Sequence, residues 1–120
     1  MAKIASFRQL VVWQKSMDLV ESCYRLAGQL PRREEFVLGA QLRRAAISIP
    51  SNIAEGQRLT TAAFRAYLRT ALGSAAEVET QLDLTVRLGF VQSERVVAAL
   101  DQAEEVARLL RGLIASLPRS

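Results

Sequence analysis

Gln41-Leu42-Arg43-Arg44-Ala45-Ala46-Ile47-Ser48-Ile49-Pro50-Ser51-Asn52-Ile53-Ala54-Glu55-Gly56 is the stretch on which the fold turns. Together with Leu38 upstream, residues Leu42, Ala45, Ile49 and Asn52 recur at spacings of 4, 3, 4 and 3, the period of one helix face. Pro50 falls inside that period, where it removes the hydrogen bond to residue 46 and crowds that carbonyl. Ile53 and Ala54 carry the apolar side past the proline, so the pattern predicts a kink at Pro50 and an end at Gly56. Upstream, Pro31 opens the helix, where its missing N–H costs nothing. Glu34 and Glu35 follow in the first turn and favour the positive end of the macrodipole.

The same period extends in both directions. Before Gly28 and Pro31, Leu10, Trp13, Met17, Val20, Tyr24 and Ala27 step by 3, 4, 3, 4 and 3. This helix starts either at the capping box Ser6-Phe7-Arg8-Gln9 or, after a turn, near Leu10. After Gly56, Thr60 or Thr61 caps a third helix along Phe64, Leu68, Ala71, Ala75, Val78 and Leu82. Gly89 reads as its C-terminal glycine, with Phe90 folding back. Ser93 caps a fourth, along Val96, Leu100, Ala103, Ala107, Leu110, Ile114 and Leu117, and Pro118 follows it. The predicted helices span 8–29, 32–56, 60–88 and 93–117. No alternating β-branched run competes, and short connections force neighbours antiparallel. The expected fold is all-α: one domain over residues 1–120, an antiparallel up-down four-helix bundle with its second helix kinked at Pro50.

Composition narrows the chemistry. The chain has no histidine, which removes His-based acid–base catalysis, His-containing triads and the Glu-x-x-His pairs of di-iron bundles. Cys23, the single cysteine, lies in an apolar seam with no histidine partner and reads as an inert small hydrophobe. Glu77 and Glu79 are two apart and point to different faces, so they do not make a carboxylate pair with Asp83. Phosphate loops and zinc spacings are absent. The expectation is a non-enzyme with no cofactor and no metal. No apolar run is long enough for a membrane span, and Met1 to Ser6 lack a signal-peptide design. Cytoplasm is the expected location.

Sixteen Lys and Arg face twelve Asp and Glu, a net charge of +4. Residues 1–58 hold nine basic and five acidic side chains, and residues 59–120 hold seven of each, so the excess belongs to the first half. Only Lys3 and Lys15 are lysines, and arginine dominance suits bidentate contact with phosphate or carboxylate. A solvated, incidental surface is the plainer account of the same residues.

Two further patterns ask for partners. Val12, Ser16, Leu19, Cys23, Leu26 and Leu30 form a second seam on the first helix, about 100° round from the first. Helix four is also broad, adding Val97, Val106, Leu109 and Leu113. Two seams on one helix fit packing both inside a bundle and against another copy. The predicted interface is Val12, Leu19, Leu26 and Leu30 with Leu109 and Leu113, and it would serve a dimer or a larger ring equally well. In the second helix, Gln41, Arg44 and Ser48 share a polar face. That face is either simply solvated or part of a semi-buried network around Pro50. The network reading joins Gln41, Arg44, Ser48 and Asn52 to Ser74 and Glu77, with Arg44 buried against Glu77.

Three runs carry a family resemblance: Leu10-x-Val12-Trp13-Gln14-Lys15; Gln41-x-x-Arg44-Ala45-Ala46-x-Ser48-Ile49-Pro50-Ser51-Asn52-Ile53-Ala54-Glu55-Gly56; and Ala71-x-Gly73-Ser74-x-x-Glu77-x-Glu79-x-Gln81-Leu82. From about Phe7 to Phe90 the chain resembles the bacterial bundle proteins of the 23S ribosomal RNA intervening-sequence type, also called the S23 ribosomal protein family. The resemblance implies a cytosolic bundle assembled as a ring of five. It also implies kinship with the accessory protein of diversity-generating retroelements, whose basic ring surface engages nucleic acid and a reverse transcriptase. On that basis the expected partners are further copies of the chain, RNA or another nucleic acid, and a protein, with no membrane. Arg32, Arg33, Arg43, Arg58, Arg65 and Arg69 are the candidate phosphate contacts. A protein-interaction scaffold that binds no nucleic acid is the alternative.

Overall fold

The structure is a computed structural model and describes residues 6–119. The sequence reading of Met1 to Ala5 lies outside the described residues. Four helices follow one another: α1 (Val11–Ala27), α2 (Leu38–Gln57), α3 (Thr61–Arg87) and α4 (Val97–Ser116). Short 3-10 turns at Phe7–Gln9, Arg32–Glu34 and Ser93–Arg95 precede α1, α2 and α4. Twenty-seven residues of helix are about 40 Å long, and the molecule measures 48 × 23 × 20 Å. The helices therefore lie side by side and alternate in direction. Packing runs α1–α2, α2–α3, α3–α4 and α4–α1, with α2–α3 the most extensive pair.

Local chemistry sets the boundaries. Thr60 accepts a hydrogen bond from the Ala63 N–H and caps α3. At the other end of α3, Gly89 has φ 78°. Its N–H donates to the Val86 carbonyl, and the Phe90 N–H donates to the Thr85 carbonyl, the double bond of a Schellman ending. Two predicted starts are corrected. Pro31 and Ser93 open 3-10 turns, and the α-helices begin at Leu38 and Val97. Val37 is non-helical (φ −113°, ψ −97°), so residues 32–37 do not join α2. The first helix begins after Leu10, whose backbone is extended.

Pro50 is buried inside α2, and the helix runs through it to Gln57. Gly56 does not end the helix but lets it pass α3 closely. A Cβ there would lie 2.5 Å from the Tyr67 Cβ and 3.2 Å from the Phe64 Cδ1.

The two seams of α1 exchange roles. Val12, Ser16, Leu19, Cys23 and Leu26 are the buried side of the helix, with Leu19 fully inaccessible. Leu10, Trp13 and Val20 are only partly buried, while Met17 and Tyr24 are exposed. Val12, Leu19 and Leu26 therefore belong to the core of one bundle and are not free to meet a second copy, contrary to the expected interface. Leu109 and Leu113 are half-buried against the same core, and Leu30 is half-buried in the turn after α1. The reason is length of side chain. Small Ser16 and Cys23 let α1 settle onto its neighbours, whereas Trp13, Met17 and Tyr24 would hold it away.

Candidate nucleic-acid interface

The bundle interior between α2 and α3 holds a small polar network. Ser48 and Ser74 share a hydrogen bond of 2.8 Å between their hydroxyls across α2 and α3. Asn52 donates to the Ser48 carbonyl at 2.7 Å and to its hydroxyl at 3.0 Å. This is the expected network in smaller form. Gln41, Arg44 and Glu77 are exposed and take no part in it. The expectation of a buried Arg44–Glu77 pair is overturned: both side chains stay in solvent, which spares the desolvation cost of burying two charges, and the buried faces of α2 and α3 are apolar apart from Ser74 and Thr85. The Cys23 thiol is buried, and burial pushes its pKa up to about 12, so it is no thiolate nucleophile. Glu79 is raised above the usual carboxylate range by burial first, then by Glu104 and Asp83, with Arg111 opposing. Among the described residues no group of three metal-ligating side chains comes together.

The six candidate arginines do not form one face. Chain direction sorts them to opposite ends of a 48 Å body. Arg32, Arg33 and Arg43 lie at the end where α1 finishes and α2 begins. There Arg43 is held by Glu35, through its carboxylate at 2.9 Å and its carbonyl at 2.9 Å. Arg33 lies 5.6 Å from the centre of the Phe90 ring. Glu34, Glu35 and Glu94 share this end, so its charge is mixed.

Arg58, Arg65 and Arg69 lie at the other end, where α2 and α4 finish and α3 begins. Two arginines outside the candidate set join them: Arg8 from the turn before α1, and Arg119 beyond α4. Arg65 donates to the carbonyls of Leu117 at 3.2 Å and Pro118 at 2.8 Å, closing the last turn of α4. Arg65, Arg69 and Arg119 rim a cleft of about 420 Å³ floored by Ile114 and Leu117. Arg8 and Arg58 both rest on Phe7, with guanidinium carbons 4.6 and 5.6 Å from the ring centre. None of these five arginines has a carboxylate partner among the described residues. Glu55 is the acidic residue in the last turns of α2, and two helix N-termini and two C-termini meet here, so the dipoles offset one another.

The arrangement is a cationic cap whose five guanidiniums have no carboxylate partner among the described residues. What it can do chemically is bind phosphate or carboxylate. Counting charge by halves of the sequence missed Arg8 and Arg119, because a bundle brings the two ends of a chain to the same place. Arg8 beside the capping signal at Ser6, and Arg119 just past the Pro118 stop, were the available signals.

Comparison with known proteins identifies the family and the fold. A family model described as 23S rRNA-intervening sequence protein matches residues 8–112. A solved structure from Bacteroides thetaiotaomicron VPI-5482, a protein of unknown function from the S23 ribosomal protein family, superposes with a TM-score of 0.82 at 30% identity. The match covers 88% of this chain and 100% of that one. No curated protein matches. The matched region runs from the arginine turn before α1 almost to the end of α4, and the chain belongs to the 23S rRNA-intervening sequence protein family.

Proposed function

We propose that the protein works by binding rather than by catalysis, as a cytoplasmic helical accessory module that engages RNA through the cap of Arg8, Arg58, Arg65, Arg69 and Arg119. The observation that carries this reading is that those five side chains have no carboxylate partner among the described residues, against a mixed and partly neutralised opposite end. Five guanidiniums gathered at one end of the bundle would displace counterions from a phosphate backbone, with little preference for sequence. Fluorescence anisotropy against generic RNA tests it. Binding should weaken steeply as salt rises, and Arg58→Gln with Arg69→Gln should flatten the salt slope by about two. Arg32→Gln with Arg33→Gln should leave it unchanged. No association at low salt would refute the reading and leave a protein scaffold in its place.

Self-association is a second reading, favoured by a separate observation. The end opposite the cap exposes Phe36 (87%), Val37 (59%), Leu88 (57%) and Val97 (53%). Apolar surface of that kind is what a further copy would cover, and the family resemblance suggests five copies. Light scattering should give a multiple of the 13.3 kDa chain mass, reduced by Phe36→Ser. A monomer at micromolar concentration would refute it.

A further inference from the structure

We propose that the groove between α1 and α2 beside the arginine cap takes an unpaired nucleobase, so that the protein prefers single-stranded RNA to duplex. The inference rests on the cap as a phosphate-binding surface and adds what lies next to it. The groove holds about 390 Å³ and is lined by Phe7 and Trp13, then by Met17, Ile47, Pro50 and Ala54. Met17 and Ile47 are each about two-fifths exposed, so the walls are open to a ligand. Trp13 and Phe7 stand 5.4 Å apart with their rings tilted by 56°. The indole is only half-buried.

Arg8 and Arg58 mark which apolar ligand fits. Both also border Phe7, and Arg8 lines the groove itself. A guanidinium held by a ring face keeps its planar orientation while its N–H donors stay free. Paired to a carboxylate it would have lost them. An open apolar groove beside two such cations matches one nucleotide: a base among Trp13, Met17 and Ile47, and its phosphate on Arg8 and Arg58. The Ser51 hydroxyl at the groove supplies a polar contact for a base edge. A duplex keeps its bases stacked and offers only its backbone, whereas splayed-out bases stack on aromatic and guanidinium planes. An apolar peptide or a second copy would use the groove but leave Arg8 and Arg58 without a purpose.

Trp13 is the only tryptophan of the chain, so its emission reports the groove directly. Three probes are titrated into the intact protein: an oligouridylate of roughly ten nucleotides, the same length of matched duplex, and inorganic polyphosphate. Oligouridylate should bind about tenfold more tightly than duplex, from one stacked base, and should quench Trp13. Polyphosphate should bind the cap without quenching. Ile47→Arg fills the slot while adding positive charge. It should abolish the quench and the single-strand preference yet retain polyphosphate binding, with the helical circular dichroism unchanged. Equal affinity for the two RNAs with unchanged Trp13 emission overturns the base slot and leaves the cap reading standing. No binding of any polyanion overturns both. A fall in assembly mass on Ile47→Arg shows a second copy in the groove and also overturns the proposal.

Discussion

Substituting alanine for glycine at two helical positions should move stability in opposite directions. At Gly56 a new Cβ would lie 2.5 Å from the Tyr67 Cβ, 3.1 Å from its Cγ and 3.2 Å from the Phe64 Cδ1. Carbon atoms prefer about 3.5–4.0 Å, so the first contact is short by about 1 Å. Tyr67 cannot swing aside, because its Cβ is fixed to the α3 backbone. The α2–α3 pair has to open instead, and overpacking of this kind costs about 1–3 kcal/mol. Gly56 is the penultimate residue of α2, where the better helix propensity of alanine returns only roughly 0.5 kcal/mol. Gly56→Ala should therefore lose on the order of 1–2 kcal/mol, a fall in Tm of roughly 4–10 °C for a domain of this size. Gly73 is exposed within α3, and nothing lies within 4 Å of the same added atom. Gly73→Ala should keep the propensity gain of roughly 0.5–1 kcal/mol. Thermal unfolding followed by far-UV circular dichroism reads both variants under one set of conditions. A Gly56→Ala variant as stable as the parent, or a destabilised Gly73→Ala, would refute the close-approach argument.

Arg44→Ala should change stability by less than about 0.5 kcal/mol, since the side chain is exposed. Ser74→Ala should cost about 1 kcal/mol by leaving the half-buried Ser48 hydroxyl with one partner fewer, and urea titration separates the two. Glu79 is raised in the folded state, so the fold binds its proton more tightly than the unfolded chain, and ionisation works against folding as pH rises through the raised pKa. Glu79→Gln should accordingly raise Tm at pH 7. The gain should shrink as pH falls below the ordinary carboxylate range, and a gain that persists in acid would contradict this cause. Cys23, buried with its pKa near 12, should resist iodoacetamide in the native protein and react once guanidinium unfolds it; mass spectrometry counts the adduct.

Helix number, order and type were legible because period and punctuation agree along the chain: the 4–3 steps, Thr60 as a cap, and Gly89 at a left-handed turn. What the sequence concealed was which of two equally regular seams faces inward on α1. Both have helical period, so periodicity cannot choose between them. The choice depends on small residues such as Ser16 and Cys23 meeting neighbours that are distant in the chain. Arg44 was misplaced for a related reason. A polar residue in an alanine-rich helix suggests a buried partner, but the serine pair Ser48–Ser74 already occupies the gap. The cap was half legible: Arg58, Arg65 and Arg69 were named, yet grouped with Arg32, Arg33 and Arg43 from the far end. Only the antiparallel course of the helices separates the two groups and adds Arg8 and Arg119.

The three-residue link at 58–60 between α2 and α3 has a kinetic consequence. These two helices are the most extensively contacting pair among the described residues and are also adjacent in the chain. Closing so short a loop takes little entropy, so their pairing is the cheapest long-lived event open to the unfolded chain. An up-down bundle of this kind has low contact order and should refold in microseconds to milliseconds. Its transition state should contain the α2–α3 hairpin. Substitutions at Ala45, Ile49, Ala71 or Ala75 should slow refolding, while equally destabilising ones at Leu110 or Val106 in α4 should mainly speed unfolding.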